Sequence, residues 1–159
     1  MIRCVKLFTG PDGKSHFVDG HIDLPGGERG DFISSVVGAR SISFRETGQG
    51  GSFDWHTAPA HQFVLTLSGT LDFEMPDGSK VRINPGDVLW ADDTVGQGHR
   101  WQLVDDQPWR RAYVIFAEGV QVPFVPAQVW AGASVHHAPP MAGLFAAETD
   151  LIYDLFHTD

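Results

Sequence analysis

Three histidines lie in two segments of this sequence whose residue types could bind a metal ion or line a small-molecule pocket. Residues 54–69 contain His56 and His61 and continue into a run of alternating apolar residues, and residues 84–101 supply His99. Imidazole nitrogens coordinate divalent transition metals, and they also exchange protons near neutral pH. These histidines can therefore be metal ligands, polar groups of a metal-free pocket, or part of a core.

Short apolar segments separated by turn residues surround both histidine segments. Ser68-Gly69 and Pro76-Asp77-Gly78 have the residue types of tight turns, because glycine accepts positive φ and proline fixes its own φ. The predicted strands are two N-terminal segments, Ile2 to Phe8 and Ser15 to Val18, then residues 32–37, 39–45, 62–67, 70–75, 80–83, 88–91, 99–104 and 111–116. Residues 47–52 are predicted to be a flexible loop. Strands this short at such regular spacing predict an all-β fold, an antiparallel sandwich or barrel.

The sequence changes character after Glu118. Val120 to Pro126 is apolar and contains two prolines, which favours an extended covering segment over a central strand. Apolar residues then recur at helical spacing, which predicts an amphipathic helix over residues 143–156. We expect this helix to pack on its own domain, with a contact between two copies of the chain as the alternative.

Composition disfavours several classes of partner. With 159 residues, of which 42% are hydrophobic and 19% charged, the chain is expected to fold as one globular domain. The formal net charge of −9 disfavours nucleic acid and anionic membranes, because both bind clustered lysine and arginine. Cys4 is the single cysteine, so no disulfide can form within the chain, and no apolar run suits a signal peptide or a membrane span. We therefore expect a cytoplasmic protein.

The order of hairpins, glycines and histidines resembles the cupin family over residues 35–118. The first cupin motif is G-x5-H-x-H-x3,4-E-x6-G, and the second is G-x5-P-x-G-x2-H-x3-N. In the first motif His56 and Gly69 match, whereas Ala58 and Gln62 stand at the second histidine and the glutamate. In the second motif, which begins at Gly86 after Pro85, Gly86, Gly96 and His99 match, whereas Thr94 and Leu103 stand at the proline and the asparagine. The gap between Gly86 and His99 is two residues longer than in the motif. The run around His56 is also similar to uncharacterised bacterial cupin-domain proteins.

The resemblance implies a double-stranded β-helix, the jelly-roll barrel of cupins, with the short C-terminal helix attached and one domain over residues 1–159. It also implies a homodimer and a divalent metal, Fe, Mn, Ni or Zn, inside the barrel. His56, Gln62 and His99 are the remaining ligand positions, and His61 is a further candidate if a bulge turns it inward. In a regular strand His61 points away from Gln62, so the metal site is expected to be weak or absent.

Further residues are candidates for contacts with an organic ligand. Trp101 shares a strand face with His99 and is expected to face the same cavity, and Trp55 directly precedes the first motif histidine. Gln62 and Arg45 are the polar candidates, and Arg45 could bind a carboxylate through two parallel hydrogen bonds.

The incomplete set of ligands leaves two functions open. The first is a cupin enzyme of the oxygenase or isomerase type, which uses a metal on His56 and His99 or uses His99 as a metal-free acid or base on a small organic substrate. The second is a non-catalytic ligand-binding or sensor cupin without metal, which the loss of two ligand residues favours. Asp92-Asp93 is expected to cap the turn before His99, with a catalytic base as the alternative.

Overall fold

Strands make up the regular structure of residues 1–127, the part of the chain that the computed structural model describes. These residues contain no helix, so the all-β prediction is confirmed for them. The strands are β1 (Arg3–Thr9), β2 (Ser15–Ile22), β3 (Ala39–Thr47), β4 (Ser52–His56), β5 (Gln62–Ser68), β6 (Leu71–Glu74), β7 (Lys80–Ile83), β8 (Val88–Ala91), β9 (His99–Leu103), β10 (Trp109–Phe116) and β11 (Phe124–Pro126).

The strands form two sheets. One sheet has seven strands in the order β11-β2-β1-β8-β5-β10-β3, and the other has four in the order β4-β9-β6-β7. Strands β1 and β8 run parallel, and the remaining neighbours run antiparallel. Strands β6 and β9 belong to the smaller sheet, whereas β5, β8 and β10 belong to the larger one, so the chain crosses repeatedly between the sheets.

The hydrophobic core takes residues from both sheets because buried and exposed positions alternate along the strands. Strand β9 is the clearest case, since His99, Trp101 and Leu103 are buried while Arg100 and Gln102 are exposed. The buried cluster consists of Val5, Leu7, Val64, Leu71, Phe73, Met75, Val81, Ile83, Leu89, Trp101, Leu103 and Trp109. Burial of this apolar surface is the main favourable term for the fold.

Two sequence predictions about local structure are wrong. Residues 32–37 form no strand, because only an isolated bridge between Gly26 and Ile33 pairs this segment with another and Val36 is almost fully exposed. The predicted loop over residues 47–52 ends earlier than expected, because Ser52–His56 pairs with β9 as strand β4. A run of residues with high β-propensity does not form a strand without a pairing partner, and Ser52–His56 has such a partner in β9.

The prediction for Val120 to Pro126 agrees with the structure. Most of this segment has no regular structure, and its last three residues form β11, which pairs with β2 at the edge of the larger sheet. Proline is tolerated at an edge because its missing N–H group leaves no central ladder incomplete. The predicted helix over residues 143–156 and the C-terminal limit of the single predicted domain lie outside the described residues. The homodimer stays a prediction.

Cys4 lies in the interior of β1 and has no solvent exposure. Burial raises the pKa of its thiol to about 12, because the thiolate would lose its hydration in the core. Cys4 is therefore a small apolar filler of the core and is unsuited to act as a nucleophile.

Candidate functional site

A cavity of about 600 Å³ is lined by residues from both sheets. Five of the residues predicted from sequence line it together, namely Arg45, His56, Gln62, His99 and Trp101. The other lining residues are Ser43, Thr47, Ser52, Phe53, Thr57, Ala58, Pro59, Val64, Phe73, Leu89, Ala91, Trp109, Arg111, Tyr113 and Ile115. About half of the lining residues are apolar or aromatic and the others carry a polar side-chain group. Small-molecule sites combine apolar walls with polar groups that orient the ligand.

A close approach between two strands brings His56 and His99 together. The two residues are paired across β4 and β9, and their ring centroids are 4.6 Å apart. Gly98 makes this approach possible, because a Cβ atom at its position would overlap the carbonyl group of His56 and come within 2.8 Å of the Thr57 nitrogen. Its φ of 74° is also in the left-handed region that favours glycine.

A bulge in β4 turns two of its residues into the cavity. The pairing between β4 and β9 shifts register between Phe53 and His56, and both of these side chains line the cavity. In a regular strand, residues an odd number of positions apart face opposite sides of the sheet. The bulge therefore re-aims one of the two side chains, as bulges beside functional sites do.

His99 is held by a buried carboxylate. Its Nδ1 atom lies 2.5 Å from Asp93 Oδ2, and the Ser15 hydroxyl donates to the same oxygen at 2.6 Å. Asp93 and Ser15 are fully buried. The prediction that Asp93 caps the turn through backbone N–H groups is wrong, because its side chain accepts from Ser15 and His99 instead. In the neutral imidazole, donation from Nδ1 of His99 leaves the lone pair of Nε2 available as an acceptor.

His56 has a similar arrangement with a backbone partner. Its Nδ1 donates to the carbonyl oxygen of Asp54 at 2.6 Å, which again leaves Nε2 as the acceptor. Burial lowers the pKa of His56, so the neutral imidazole is favoured in the folded protein.

The donors around His56 and His99 do not match a standard divalent metal site. Gln62 is buried and lines the cavity, but its amide oxygen carries no charge to offset a cation. Ala58, at the second histidine position of the motif, is also buried and offers no ligand. Within residues 1–127, no three His, Cys, Asp or Glu residues lie close enough together to hold a metal ion. A metal on His56, Gln62 and His99 stays a prediction.

Two residues considered from sequence lie away from the cavity. The His61 side chain is 62% exposed and pairs with Asp92, so it does not supply the missing metal ligand in this conformation. Trp55 is 42% exposed and does not line the cavity, and the Arg100 guanidinium lies 4.8 Å from its ring centroid. The prediction that Trp55 contacts the ligand in this cavity is not supported by its position. The alternation of β4 places it on the opposite face from its neighbour His56.

Sequence reasoning missed Arg111, which lines the cavity although it is only 3% exposed. Its guanidinium carbon lies 3.6 Å from the ring centroid of Trp109. Trp109, Arg111, Tyr113 and Ile115 all line the cavity, because alternate residues of β10 face the same side. Arg111 could have been predicted from the sequence, because it lies two residues before Tyr113 in the same predicted strand and therefore shares its face.

These features define a two-sheet β-domain whose cavity is lined by aromatic side chains and by polar groups. Residues 41–121 match the model of the family described as the AraC-like ligand binding domain. The chain therefore belongs to this family of the cupin superfamily, and the predicted resemblance to cupins is confirmed.

Similarity to solved structures is distant. The chain is similar to a conserved protein of unknown function from Streptococcus pyogenes, with 18% identity, a TM-score of 0.37, and coverage of 48% of this chain and 64% of that one. It is also similar to a protein from Neisseria meningitidis, with 14% identity, a TM-score of 0.36, and coverage of 51% and 79% respectively. The chain thus spans somewhat less than two thirds of the Streptococcus protein. A comparison with curated proteins found no significant match.

No helix that could cross a membrane occurs among the residues that the structure describes. The cytoplasmic location stays a prediction.

Proposed function

We propose that the chain binds a small organic molecule in the cavity between its sheets and that binding needs no metal. The observation that carries this proposal is the cavity itself, with its volume of about 600 Å³ and its aromatic wall. Cavities of about 300–1,000 Å³ are typical of small-molecule sites. Membership of a ligand-binding family supports the same function.

The polar groups of the cavity are suited to orient a ligand. In the neutral imidazole form, the Nε2 atoms of His56 and His99 are acceptors, because both rings donate through Nδ1. Gln62 adds an amide that can donate and accept. Apolar contact with Trp101 supplies affinity, while these groups supply selectivity.

Trp101→Leu is expected to weaken ligand binding at least about tenfold, because a large aromatic contact of about 1.5–3 kcal/mol is removed from the cavity wall. A library of small organic molecules is screened by thermal stabilisation, and dissociation constants of the hits are measured by tryptophan fluorescence or calorimetry. The matched control is Trp55→Leu, which removes a tryptophan outside the cavity and is expected to leave the dissociation constant unchanged.

The same titration, repeated in EDTA and after addition of Fe, Mn, Ni or Zn, tests the role of metal. Equal affinity in EDTA is the expected result. Binding that needs stoichiometric metal, and that is lost in both His56→Ala and His99→Ala, would overturn the metal-free proposal. It would favour the oxygenase or isomerase hypothesis instead. Absence of any hit, or equal losses in the Trp101 and Trp55 variants, would contradict binding in this cavity.

A second candidate function is metal-free acid–base catalysis by His99. The observation that favours it is the bond from His99 Nδ1 to buried Asp93, which fixes the ring with Nε2 as the basic atom. In this reaction Nε2 accepts a proton from the ligand and returns it, and Asp93 stabilises the imidazolium that forms in between.

His99→Gln is expected to lower the rate of proton exchange between a bound ligand and D2O at least about 100-fold, because general bases contribute roughly that much. Exchange is followed by NMR on the ligand identified in the screen, and binding is measured alongside. Undiminished exchange in the variant would exclude His99 as the base. If the wild-type protein binds the ligand but exchanges no proton, the catalytic function is contradicted and only the non-catalytic sensor function remains.

We further propose that the two sheets are the halves of a cupin double-stranded β-helix. The crossing of β5, β6, β8, β9 and β10 between the sheets supports this topology, as does membership of the cupin superfamily. A crystal structure in which the strands followed another order would contradict it.

A further inference from the structure

Arg111 differs from the other arginines whose ion pairs hold the described strands together. The arginine–carboxylate pairs are Arg3 with Asp19 and Asp87, Arg82 with Asp72, Arg100 with Glu74, and Arg110 with Glu46. Arg111 is more deeply buried than any of these paired arginines. It nevertheless pairs with no carboxylate among residues 1–127. Burial of a guanidinium without a counter-charge is costly even when it stacks on an aromatic ring, as Arg111 does on Trp109. An anion that enters the cavity would supply the counter-charge.

The hydrogen bonds of Arg111 leave one nitrogen unused. Nε donates to the Tyr113 hydroxyl at 2.9 Å, and Nη1 donates to Thr47 Oγ1 and to the Trp109 carbonyl oxygen at 3.0 Å each. Nη2 donates to none of the described residues, so both of its hydrogens are available. The Tyr113 hydroxyl accepts from Nε, and its own hydrogen is therefore free to be donated. Three hydrogens that can be donated thus remain on Arg111 and Tyr113, which both line the cavity.

The cavity has a basic character within an acidic protein. None of its lining residues is acidic, and Arg45 lines it together with Arg111. The Arg45 guanidinium carbon lies 4.8 Å from the Tyr113 ring centroid, and it forms no ion pair with the described residues. Burial lowers the pKa of Arg111, and the like charge of Arg45 lowers it further. The chain as a whole has a net charge of −9, so a cavity with two arginines, Arg45 and Arg111, and no acidic lining residue differs in charge from the rest of the protein.

We propose that the ligand is an organic carboxylate, with one carboxylate oxygen bound by Nη2 of Arg111 and the other by the hydroxyl of Tyr113. The proposal rests on the proposed function, since it names the chemical class that the cavity takes. Arg45 adds a second positive charge at the more exposed side of the same wall. The rest of the ligand contacts apolar side chains such as Phe53 and Trp101, and it also meets the polar groups of Gln62 and the two histidines.

A planar carboxylate fits these donors better than a phosphate group does. Nη2 and the Tyr113 hydroxyl offer donors to two oxygens, which a carboxylate has, whereas a phosphate monoester has three that need donors or water. Thr47 and the Trp109 carbonyl already occupy Nη1, so the guanidinium cannot present its full fork to a larger anion.

The test compares acids with their uncharged amides, namely benzoate with benzamide, phenylacetate with phenylacetamide, and hexanoate with hexanamide. Dissociation constants are measured by calorimetry for the full chain. Wild type is expected to bind the acid of at least one pair at least about tenfold more tightly than the amide, since hydrogen bonds to charged groups contribute about 1.5–3 kcal/mol. Arg111→Met is expected to abolish this preference while amide binding is retained.

Arg110→Met is the matched control, because Arg110 is adjacent in sequence but exposed and paired with Glu46. It is expected to keep the preference for the acid. Tyr113→Phe removes only one hydroxyl, so it tests the same site if Arg111→Met fails to fold, and a severalfold loss of the preference is expected. Phenyl phosphate is included as the larger anion.

The outcomes separate the inference from the function on which it rests. Equal binding of acids and amides, or a preference for the acid that survives in both Arg111→Met and Tyr113→Phe, would overturn the carboxylate site and leave the ligand-binding function standing. Tighter binding of phenyl phosphate than of every acid would also overturn it. If these probes and the wider library all fail to bind, the proposed function falls as well.

Discussion

Asp93→Ala is expected to lower the free energy of unfolding by about 3 kcal/mol or more. The substitution leaves the Ser15 hydroxyl and the Nδ1–H group of His99 without their acceptor in a buried place, and each unsatisfied buried donor costs about 1–3 kcal/mol. The removed carboxylate also leaves a small void. Urea unfolding followed by tryptophan fluorescence measures the change.

Two other substitutions serve as controls for the loss of stability in Asp93→Ala. Asp72→Ala removes a carboxylate whose partner Arg82 is exposed, and it is expected to change stability little because exposed ion pairs contribute little. Asp93→Asn retains an acceptor oxygen, so it should lose less stability than Asp93→Ala. If Asp93→Ala proved as stable as Asp72→Ala, the buried hydrogen bonds to Ser15 and His99 would not contribute as described.

Gly98→Ala is expected to destabilise the fold and to separate His56 from His99. The positive φ costs an alanine about 1–2 kcal/mol. Overlap of the new methyl group with the backbone of His56 and Thr57 adds roughly 1–3 kcal/mol, because backbone cannot move aside as a flexible side chain can. Urea unfolding measures the stability, and NMR of the histidine rings reports whether their contact is lost.

Gly78→Ala separates these two effects. Gly78 also has a positive φ, of 87°, but nothing lies within 4 Å of the position that a Cβ atom would occupy. Its substitution should therefore carry only the backbone cost of about 1–2 kcal/mol. Equal losses of stability for Gly78→Ala and Gly98→Ala would show that the close approach of β4 and β9 does not depend on the absence of a side chain at Gly98.

Asp93 also bears on the choice between a binding module and an enzyme. The same carboxylate that fixes His99 in the folded protein would orient it as a base in the second candidate function. A loss of stability in Asp93→Ala is expected under either function. Only the proton-exchange measurement on His99→Gln separates them, because a structural histidine has no reason to change the rate of exchange.

Much of the fold could be predicted because its signals are local. The alternation of buried and exposed residues in β9 and the glycine and proline turns between strands depend on neighbours in sequence. The predicted strands over residues 80–83 and 88–91 therefore have the same bounds as β7 and β8. The failure at residues 32–37 has the opposite cause, since a strand also needs a partner that its own sequence does not specify.

The sequence by itself determined the cavity face of β9, with His99 and Trp101 side by side, and the loss of metal ligands at Ala58 and Gln62. Only the tertiary structure decided that Trp55 lies away from the cavity, that Arg111 lines it, and that buried Asp93 holds His99 together with Ser15. Asp93 meets Ser15, 78 positions away in the chain, and Arg111 meets Thr47, 64 positions away. Hydrogen bonds act over about 3 Å, so their partners are set by the pairing and stacking of strands, which residue spacing alone does not reveal.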